Sequence, residues 1–353
     1  VASLGDARRL RRTGGRTLAW FVGTTTAGAL IGLGAALAVG AGAGLDPAVR
    51  DAIAARFQAS GASASAGVSS VPSFAQSVVA MVPVNPVAAA AQGDLLALIV
   101  AIVAFGAAAN ALGADARARL LQVAGAVNDA MLVLVGWTMQ LAPPAIAILI
   151  AATVLRSGLD LLQALAAYAA TVVGALVLHV AIVLLPLARF AAGTGVRRFA
   201  RDSGDALLLA LSTASSSVTL PVSLTAAARM GVPATVANFV LPAGTTLNKN
   251  GAAVYKAATA VFLAQLYGVP LGPAQLVTIV LTTIVASSAG AGVPGSSLVT
   301  TLIVLNAIGL GPNAAAGIAL VAGIDRPLDM CRTAVNTASN LVGAAWVGRA
   351  SAA

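Results

Sequence analysis

Charge is scarce enough in this chain to decide its solvent. Of 353 residues only 9% are charged and 59% are hydrophobic, with a mean hydropathy of +0.95. Soluble domains carry about 25% charged residues. A surface so poor in charge cannot face water over its whole area, which excludes an ordinary cytoplasmic enzyme and predicts an integral membrane protein.

The charges that exist are unbalanced, 20 basic against 11 acidic, and every acid is Asp. A net charge of +9 raises nucleic acid as a partner. The basic residues are not grouped for it. They form short clusters between apolar runs: Arg8, Arg9, Arg11, Arg12 and Arg16, then Arg117 and Arg119, then Arg189, Arg197, Arg198 and Arg201. Cytoplasmic loops of a multi-pass protein have this appearance. The single Cys331 excludes an intramolecular disulfide and a thiolate metal cluster. The single His179 lies among apolar residues and reads as a polar bridge inside a bundle.

Residues 17–39 are long enough to span the bilayer core and do not read as a signal peptide. The first span is placed at 18–39. A loop rich in Ala, Ser and Gly follows at 40–76, then a second span at 95–112. A third apolar tract, 123–154, exceeds one perpendicular span and contains Pro143 and Pro144, so a tilted or kinked helix is expected. The fourth span covers 161–187 and ends at Pro186. With the N-terminus inside, this count puts all three basic clusters on one side, as the positive-inside rule requires.

Between 207 and 324 there is no acid, and the basic residues are Arg229, Lys249 and Lys256. The tract is apolar but interrupted by LSTASSSVTLP (211–221), LPAGTTLNKNGA (241–252) and ASSAGAGVPGSS (286–297). Non-helical backbone at membrane depth survives only where protein or a wet cavity surrounds it. Three such interruptions predict re-entrant hairpins and a broken helix, whose free N–H and C=O groups bind substrates and ions. The alternative is close helix packing through small residues.

The last apolar region reads GIDRPLDMCRTAVNTASNLVG (323–343). If Pro327 sits in the first turn or only bends the helix, Asp325, Asp329, Arg332, Asn336 and Asn340 form one stripe, with Thr333 beside it. Ionisable groups in a spanning segment face a cavity or a partner. Two readings stand. A ligand with an amino group and a carboxylate would satisfy Asp329 and Arg332, or Asp325, Arg332 and Asp329 would pair among themselves without a ligand.

The tracts STASSSVTLPVSLTAAARMGVP, FVLPAGTTLNKNGAAVY, AGVPGSSLVTTLIVLNAIGL and GIDRPLDMCRTAVN resemble the dicarboxylate/amino acid:cation symporter family, the glutamate transporter superfamily. GRTLAWFVGTTTAGALIGL and MVPVNPVAAAAQGDLLALIV extend the resemblance over nearly the whole chain. It implies an all-α polytopic membrane protein with a glutamate-transporter-like elevator fold, not an enzyme. That fold has two re-entrant helical hairpins, a broken helix seven and a homotrimeric assembly in the plasma (inner) membrane. By this scheme 1–42 holds the end of helix two and helix three, 43–76 an extracellular loop, 77–155 scaffold helices four and five, and 156–189 helix six. The core transport domain is 190–349: hairpin one 205–230, helix seven 232–267, hairpin two 272–310 and helix eight 314–349. The chain begins with Val, and the scheme expects a first helix and part of another upstream of Val1; a truncated or decayed gene is the other expectation.

The resemblance also implies site residues. Ser215, Ser216 and Ser217 match the tip of hairpin one, and Ala291, Gly292, Val293, Pro294 and Gly295 match substrate-binding backbone in hairpin two. Asp329 matches the group that takes an amino group, Arg332 the one that takes an acidic side chain, and Asp325 the one that orients Arg332. Thr333 and Asn336 match residues that hold the main carboxylate and the amino group. The coupling-ion region corresponds to Thr24, Thr25, Gly244, Thr246, Asn248, Lys249, Asn250, Asn336, Asn340 and Ser287.

The departures bear on coupling. The family's Asn-Met-Asp-Gly-Thr motif is Asn248, Lys249, Asn250, Gly251 and Ala252 here, and its sodium-binding aspartate in helix eight is Asn340. Two carboxylates are lost and one cation is gained. Lys249 then reads as a tethered cation in place of a bound Na+, or as a lysine that reaches towards water without a role in coupling. The expected function is uptake of aspartate or glutamate, with a C4-dicarboxylate second, coupled to H+ or to no cation rather than to Na+, and without a cofactor. A neutral amino acid substrate, or a non-transporting anion channel or sensor, are the alternatives.

Overall fold

The computed structural model describes residues 7–43, 84–92, 101–102, 104–106, 108–109, 111–288 and 295–352. Most of the expected 43–76 loop, most of the 95–112 span and residues 289–294 lie outside them. The described part is helical throughout, and the chain divides into two units. Val68–Ile150 forms one, and Val1–Gly67 with Ala151–Ala353 the other.

In the first of these lies the short helix α2 (Pro86–Gln92). Its entry is capped by Asn85, whose side-chain oxygen accepts the Val87 and Ala88 N–H groups at 3.0 and 3.1 Å. Large apolar side chains such as Leu121, Val123 and Trp137 are exposed there. They suit a lipid or protein neighbour better than water.

The second unit begins with α1 (Ala7–Val39). Thr13–Val39 and Gln163–Phe190 are the two described stretches long and apolar enough to cross a bilayer. Helix α3 runs from Ala114 to His179 without a break. This range takes in the tract expected at 123–154 and most of the span expected at 161–187. The helix does not end at Pro186, where the fourth span was expected to close. The backbone widens into π turns at Val180–Leu184 and Leu187–Ala191 on either side of it. A missing proline N–H removes an ordinary i→i−4 bond, and π geometry absorbs the misfit. His179 is fully buried, and neither ring nitrogen has a hydrogen-bond partner among the described residues, so it is not the expected bridge.

Two antiparallel helix pairs follow around a broken helix. The first pair is α4 (Val196–Thr213) and α5 (Ser216–Arg229). Helices α6 (Ala234–Leu247) and α7 (Asn250–Leu266) are separated by the non-helical Asn248 and Lys249. The second pair is α8 (Pro273–Ser288) and α9 (Ser296–Ala307), and α10 (Pro312–Ala352) closes the unit. Helix α7 is buried on nearly every side, enclosed by α1, α8, α9 and α10. A helix apolar all round can only be a core helix.

Helix α1 reaches α7 because its inner face is small. Trp20, Phe21, Thr24, Thr25, Ala29, Leu33 and Ala36 are buried at four-residue spacing, while Leu18, Val22, Leu30 and Leu37 are exposed. Gly28 and Gly32 bring the two backbones together: a Cβ on Gly32 would lie 2.2 Å from the Val254 carbonyl oxygen, and one on Gly28 would lie 2.6 Å from that of Asn250. Small residues at such a spacing let membrane helices pack at backbone distance. Gly32→Ala is expected to lower the thermal unfolding midpoint by the equivalent of about 1–3 kcal/mol, an overpacking cost. Gly34→Ala, where the new Cβ has nothing within 4 Å, should leave it level or raise it.

Candidate substrate and coupling site

Helix α10 continues through Pro327, so the stripe expected from spacing forms. Asp325, Asp329, Arg332, Thr333, Asn336 and Asn340 are all buried. Arg332 is 1% exposed and holds both acids: Nη1 donates to Asp325 Oδ1 at 2.6 Å, Nη2 to Asp325 Oδ2 at 3.2 Å, and Nη2 lies 2.9 Å from Asp329 Oδ1. Its guanidinium carbon sits 3.9 Å from the centre of the Tyr255 ring. A planar cation between two carboxylates and an aromatic face has most of its lost hydration replaced. The described structure therefore shows the self-paired arrangement, one of the two the sequence allows. Arg332 Nε has no partner in it.

Helix α9 adds one contact. Gly295, at φ +76°, donates its N–H to Asp329 Oδ2 at 2.8 Å. Ala291, Gly292, Val293 and Pro294 lie outside the described residues. At the other tip Ala214 takes a left-handed conformation at φ +52°, which ends α4 and lets Ser215 cap α5 by accepting the Val218 N–H at 3.3 Å. Ser215 and Ser216 are buried and Ser217 is half-buried. Ser216 shares a water-sized cavity with Ser223, Thr245, Thr337 and Asn340. The structure thus brings Ser216 next to Asn340.

The break between α6 and α7 is stitched by amides. Asn248 Nδ2 donates to Asn340 Oδ1 at 2.8 Å and to Ser339 Oγ at 3.0 Å, while Asn248 Oδ1 lies 3.3 Å from Thr24 Oγ1, whose proton goes to the Trp20 carbonyl at 2.8 Å. The Gly251 N–H is shared between Asn336 Oδ1 at 2.8 Å and Asn250 Oδ1 at 2.9 Å. Two glycines make room for this. A Cβ on Gly244 would lie 2.4 Å from Asn340 Oδ1, and one on Gly251 would lie 2.6 Å from the Arg332 carbonyl oxygen. The amide oxygens of Asn336 and Asn340 each already accept a hydrogen bond. Hydroxyls of Thr25 and Ser287 and the Asn250 Nδ2 are buried without a partner among the described residues. Lys249, the residue before α7, is 5% exposed. Thr246 is exposed and does not join the group; its neighbour Thr245 lines the cavity instead. Among the described residues no cluster of His, Cys, Asp or Glu could hold a metal ion.

Several site residues were not singled out from sequence. Tyr255 lies under Arg332. Tyr168 of α3 stacks on Phe262 at 4.6 Å and meets Thr259 Oγ1 at 2.7 Å. The Thr259 proton goes to the Tyr255 carbonyl, so Tyr168 is the donor. Lys256 is 1% exposed, and a lone lysine within an otherwise apolar helical run was the signal that could have found it.

Broken and paired helices around a buried Asp–Arg–Asp set define a membrane transporter, and the sequence matches the Sodium:dicarboxylate symporter family over residues 1–350. The chain belongs to that family, which is one of transporters and not of enzymes. It is 35% identical over 351 residues to the proton/glutamate-aspartate symporter of Escherichia coli (strain K12), covering 98% of this chain and 79% of that protein. It is 33% identical over 346 residues to the proton/sodium-glutamate symport protein of Bacillus subtilis (strain 168), covering 98% and 78%. It is also 31% identical over 352 residues to the C4-dicarboxylate transport protein of Solibacter usitatus (strain Ellin6076), covering 99% and 80%.

The triad yields a stability test. Asp325→Ala leaves a buried guanidinium with one carboxylate and is expected to destabilise the fold by about 3–5 kcal/mol. Adding Arg332→Met removes the stranded charge and should recover a large part of that loss. Thermal unfolding of the single and double variants checks both; equal or additive losses would contradict the pairing.

Proposed function

We propose that this protein is a secondary active transporter that takes up a small anion, an acidic amino acid (aspartate or glutamate) or a C4-dicarboxylate, with altered or absent Na+ coupling. The observation that carries the substrate class is the buried Asp325–Arg332–Asp329 set on α10, which the start of α9 reaches through the Gly295 N–H. On substrate binding Arg332 turns part of its fork to a substrate carboxylate, and Asp329 receives an ammonium group where the solute has one. Ser215, Ser216 and Ser217, the 291–295 backbone, Thr333 and Asn336 complete the cage. Relatives named for glutamate, aspartate and C4-dicarboxylates support the choice of anion.

In this reading the subunits work as a homotrimer spanning the plasma membrane several times, and the unit holding the two helix pairs moves as an elevator. The altered coupling rests on the helix break. Asn250 and Asn340 stand where carboxylates would bind Na+, and the amide oxygen of Asn340 is engaged by Asn248 within the protein. Neutral amides are weak replacements for carboxylates around a hard cation, and Lys249 already brings a positive charge to the break. The coupling cation is then H+, or there is none.

Uptake of radiolabelled aspartate and of succinate into vesicles, with Na+, K+ or choline outside and with or without an inward pH gradient, tests this. Equal rates in the three salts are expected, and a steep Na+ dependence would refute the altered coupling. Lys249→Met alone should abolish uptake, and Lys249→Met with Asn250→Asp and Asn340→Asp should restore part of a Na+ dependence. Arg332→Ala should remove aspartate binding; unchanged affinity would remove Arg332 from the substrate site.

A further inference from the structure

The two described stretches long enough to cross a bilayer, Thr13–Val39 and Gln163–Phe190, each carry arginine at one end: Arg16 in the first turn of one, Arg189 in the last turn of the other. The fold brings those two ends together through α10. Arg16 Nη1 donates to the carbonyl of Ala350, two residues from the end of α10. Arg349 lies on the turn that follows Arg189, so close that a Cβ on Gly193 would collide with its Nη1. That turn folds back on the last π turn, with the Thr194 N–H on the Ala188 carbonyl at 2.8 Å, and leads directly into α4 with its Arg197, Arg198 and Arg201. Arginines from four elements far apart in the sequence thus share one end of this unit.

The charge at this end is one-sided. Within 7–16, 187–205 and 343–352 the acids are Asp202 and Asp205. Asp202 is shared by Arg198 at 3.3 Å and Arg201 at 2.9 Å, yet the side chains of these arginines stay 57% and 76% exposed. Asp205 turns to Arg229 at 3.0 Å. Arg189, Arg197 and Arg349 are exposed as well. Next to them stand large apolar side chains that are also exposed, Val196 and Phe190, the latter at 78% and with its ring centre 5.8 Å from the Arg189 guanidinium. Charged forks beside uncovered apolar groups suit the boundary between hydrocarbon and headgroups, where each half of the pair finds its solvent. Both lysines of the chain are buried, so the cations offered here are all arginine. Its planar fork can hold two phosphate oxygens at once, where an ammonium acts only as a point charge.

We propose that this end of the unit is a binding surface for the phosphate headgroups of anionic phospholipids, with Arg189, Arg197 and Arg349 as its phosphate-facing forks and Phe190 entering the acyl region beside them. The positive-inside rule assigns this end to the cytoplasmic leaflet, whose anionic lipids attract basic residues at the membrane surface. A zwitterionic headgroup offers the same phosphate but brings its own cation with it, so an excess of arginine selects the lipid of net negative charge. A free phosphate or a soluble partner would meet the same charge, but neither accounts for Phe190 and Val196 at the same level. The assignment goes beyond the transport reading and depends neither on the solute carried nor on the coupling cation.

The test counts retained lipid. The purified full-length chain is reconstituted into vesicles of phosphatidylcholine and phosphatidylglycerol in equal amounts, extracted again in mild detergent, and its bound lipids are weighed by native mass spectrometry. Wild-type protein should retain phosphatidylglycerol in preference to phosphatidylcholine. Arg189→Gln, Arg197→Gln and Arg349→Gln together leave both Asp202 pairs in place and should lower that preference by about fivefold or more, the strength of a basic residue at an anionic surface. The ratio of two lipids on one molecule does not depend on yield, and Arg197→Gln alone serves where the triple variant cannot be purified. Equal retention of the two lipids by wild-type protein, or a ratio unchanged in the variants, overturns the proposal. So does inorganic phosphate that raises the unfolding midpoint of lipid-depleted protein as much as phosphatidylglycerol does, since the surface would then serve a soluble phosphate.

Discussion

A guanidinium held at 1% exposure between two carboxylates and an aromatic ring is the constraint around which the rest of this unit is arranged. Burying Arg332 is tolerable only because Asp325 presents both oxygens in register with its fork and Asp329 takes the second edge. That demands a continuous α10, since i, i+4 and i+7 positions align on one face only when the helix is unbroken. It also demands a broad apolar surface opposite, which Tyr255 supplies from the fully enclosed α7. The Tyr168–Thr259 hydrogen bond in turn ties α3 to α7 one turn beyond that ring.

The second requirement is close approach. The α6–α7 break places peptide groups of α7 against α10, and a Gly251 side chain would collide with the Arg332 backbone. Helix α1 packs on a second side of α7, at Asn250 and Val254, through Gly28 and Gly32 at the same kind of distance. Helix α7 is thus fixed from two sides by missing side chains rather than by large ones. Between these contacts the orphaned backbone groups of the break find amides: Asn336 accepts the Gly251 N–H, while Asn248 and Asn340 pair with each other. In an unbroken helix none of these side chains would be needed at such depth.

Much of this was legible from the sequence, and the reasons differ by element. The membrane class followed from charge scarcity alone. The α10 stripe followed from 3.6-residue spacing, and the polar interruptions at 211–221, 241–252 and 286–297 fall at or between helix ends. Which of two pairings Asp325, Arg332 and Asp329 adopt was not legible, because spacing fixes a face but not a rotamer. The passage through Pro186 was misjudged, since a proline announces a lost hydrogen bond and not how the backbone absorbs it. Thr245 and Thr246 could not be told apart, as neighbouring positions at a helix end depend on where the last turn stops. Tyr255 and Lys256 were hidden among apolar residues of α7, where a tyrosine reads as core and a lysine as an isolated charge.

The distribution of the two kinds of cation completes the argument. Arginine serves the short clusters flanking apolar runs, where its charge meets water and headgroups. One arginine alone is taken to the centre of the described unit, and it is matched there by acids. Lysine appears only inside, twice, once in the break and once in α7. Both oxygens of Asp325 meet Arg332, and Asp329 divides its two between Arg332 and the Gly295 N–H. The break holds Lys249 at the start of α7, and Lys256 follows about 10 Å further along the helix axis. Around the break the polar side chains that meet α10 are neutral amides and not carboxylates: Asn248 pairs with Asn340, and the Gly251 N–H goes to Asn336.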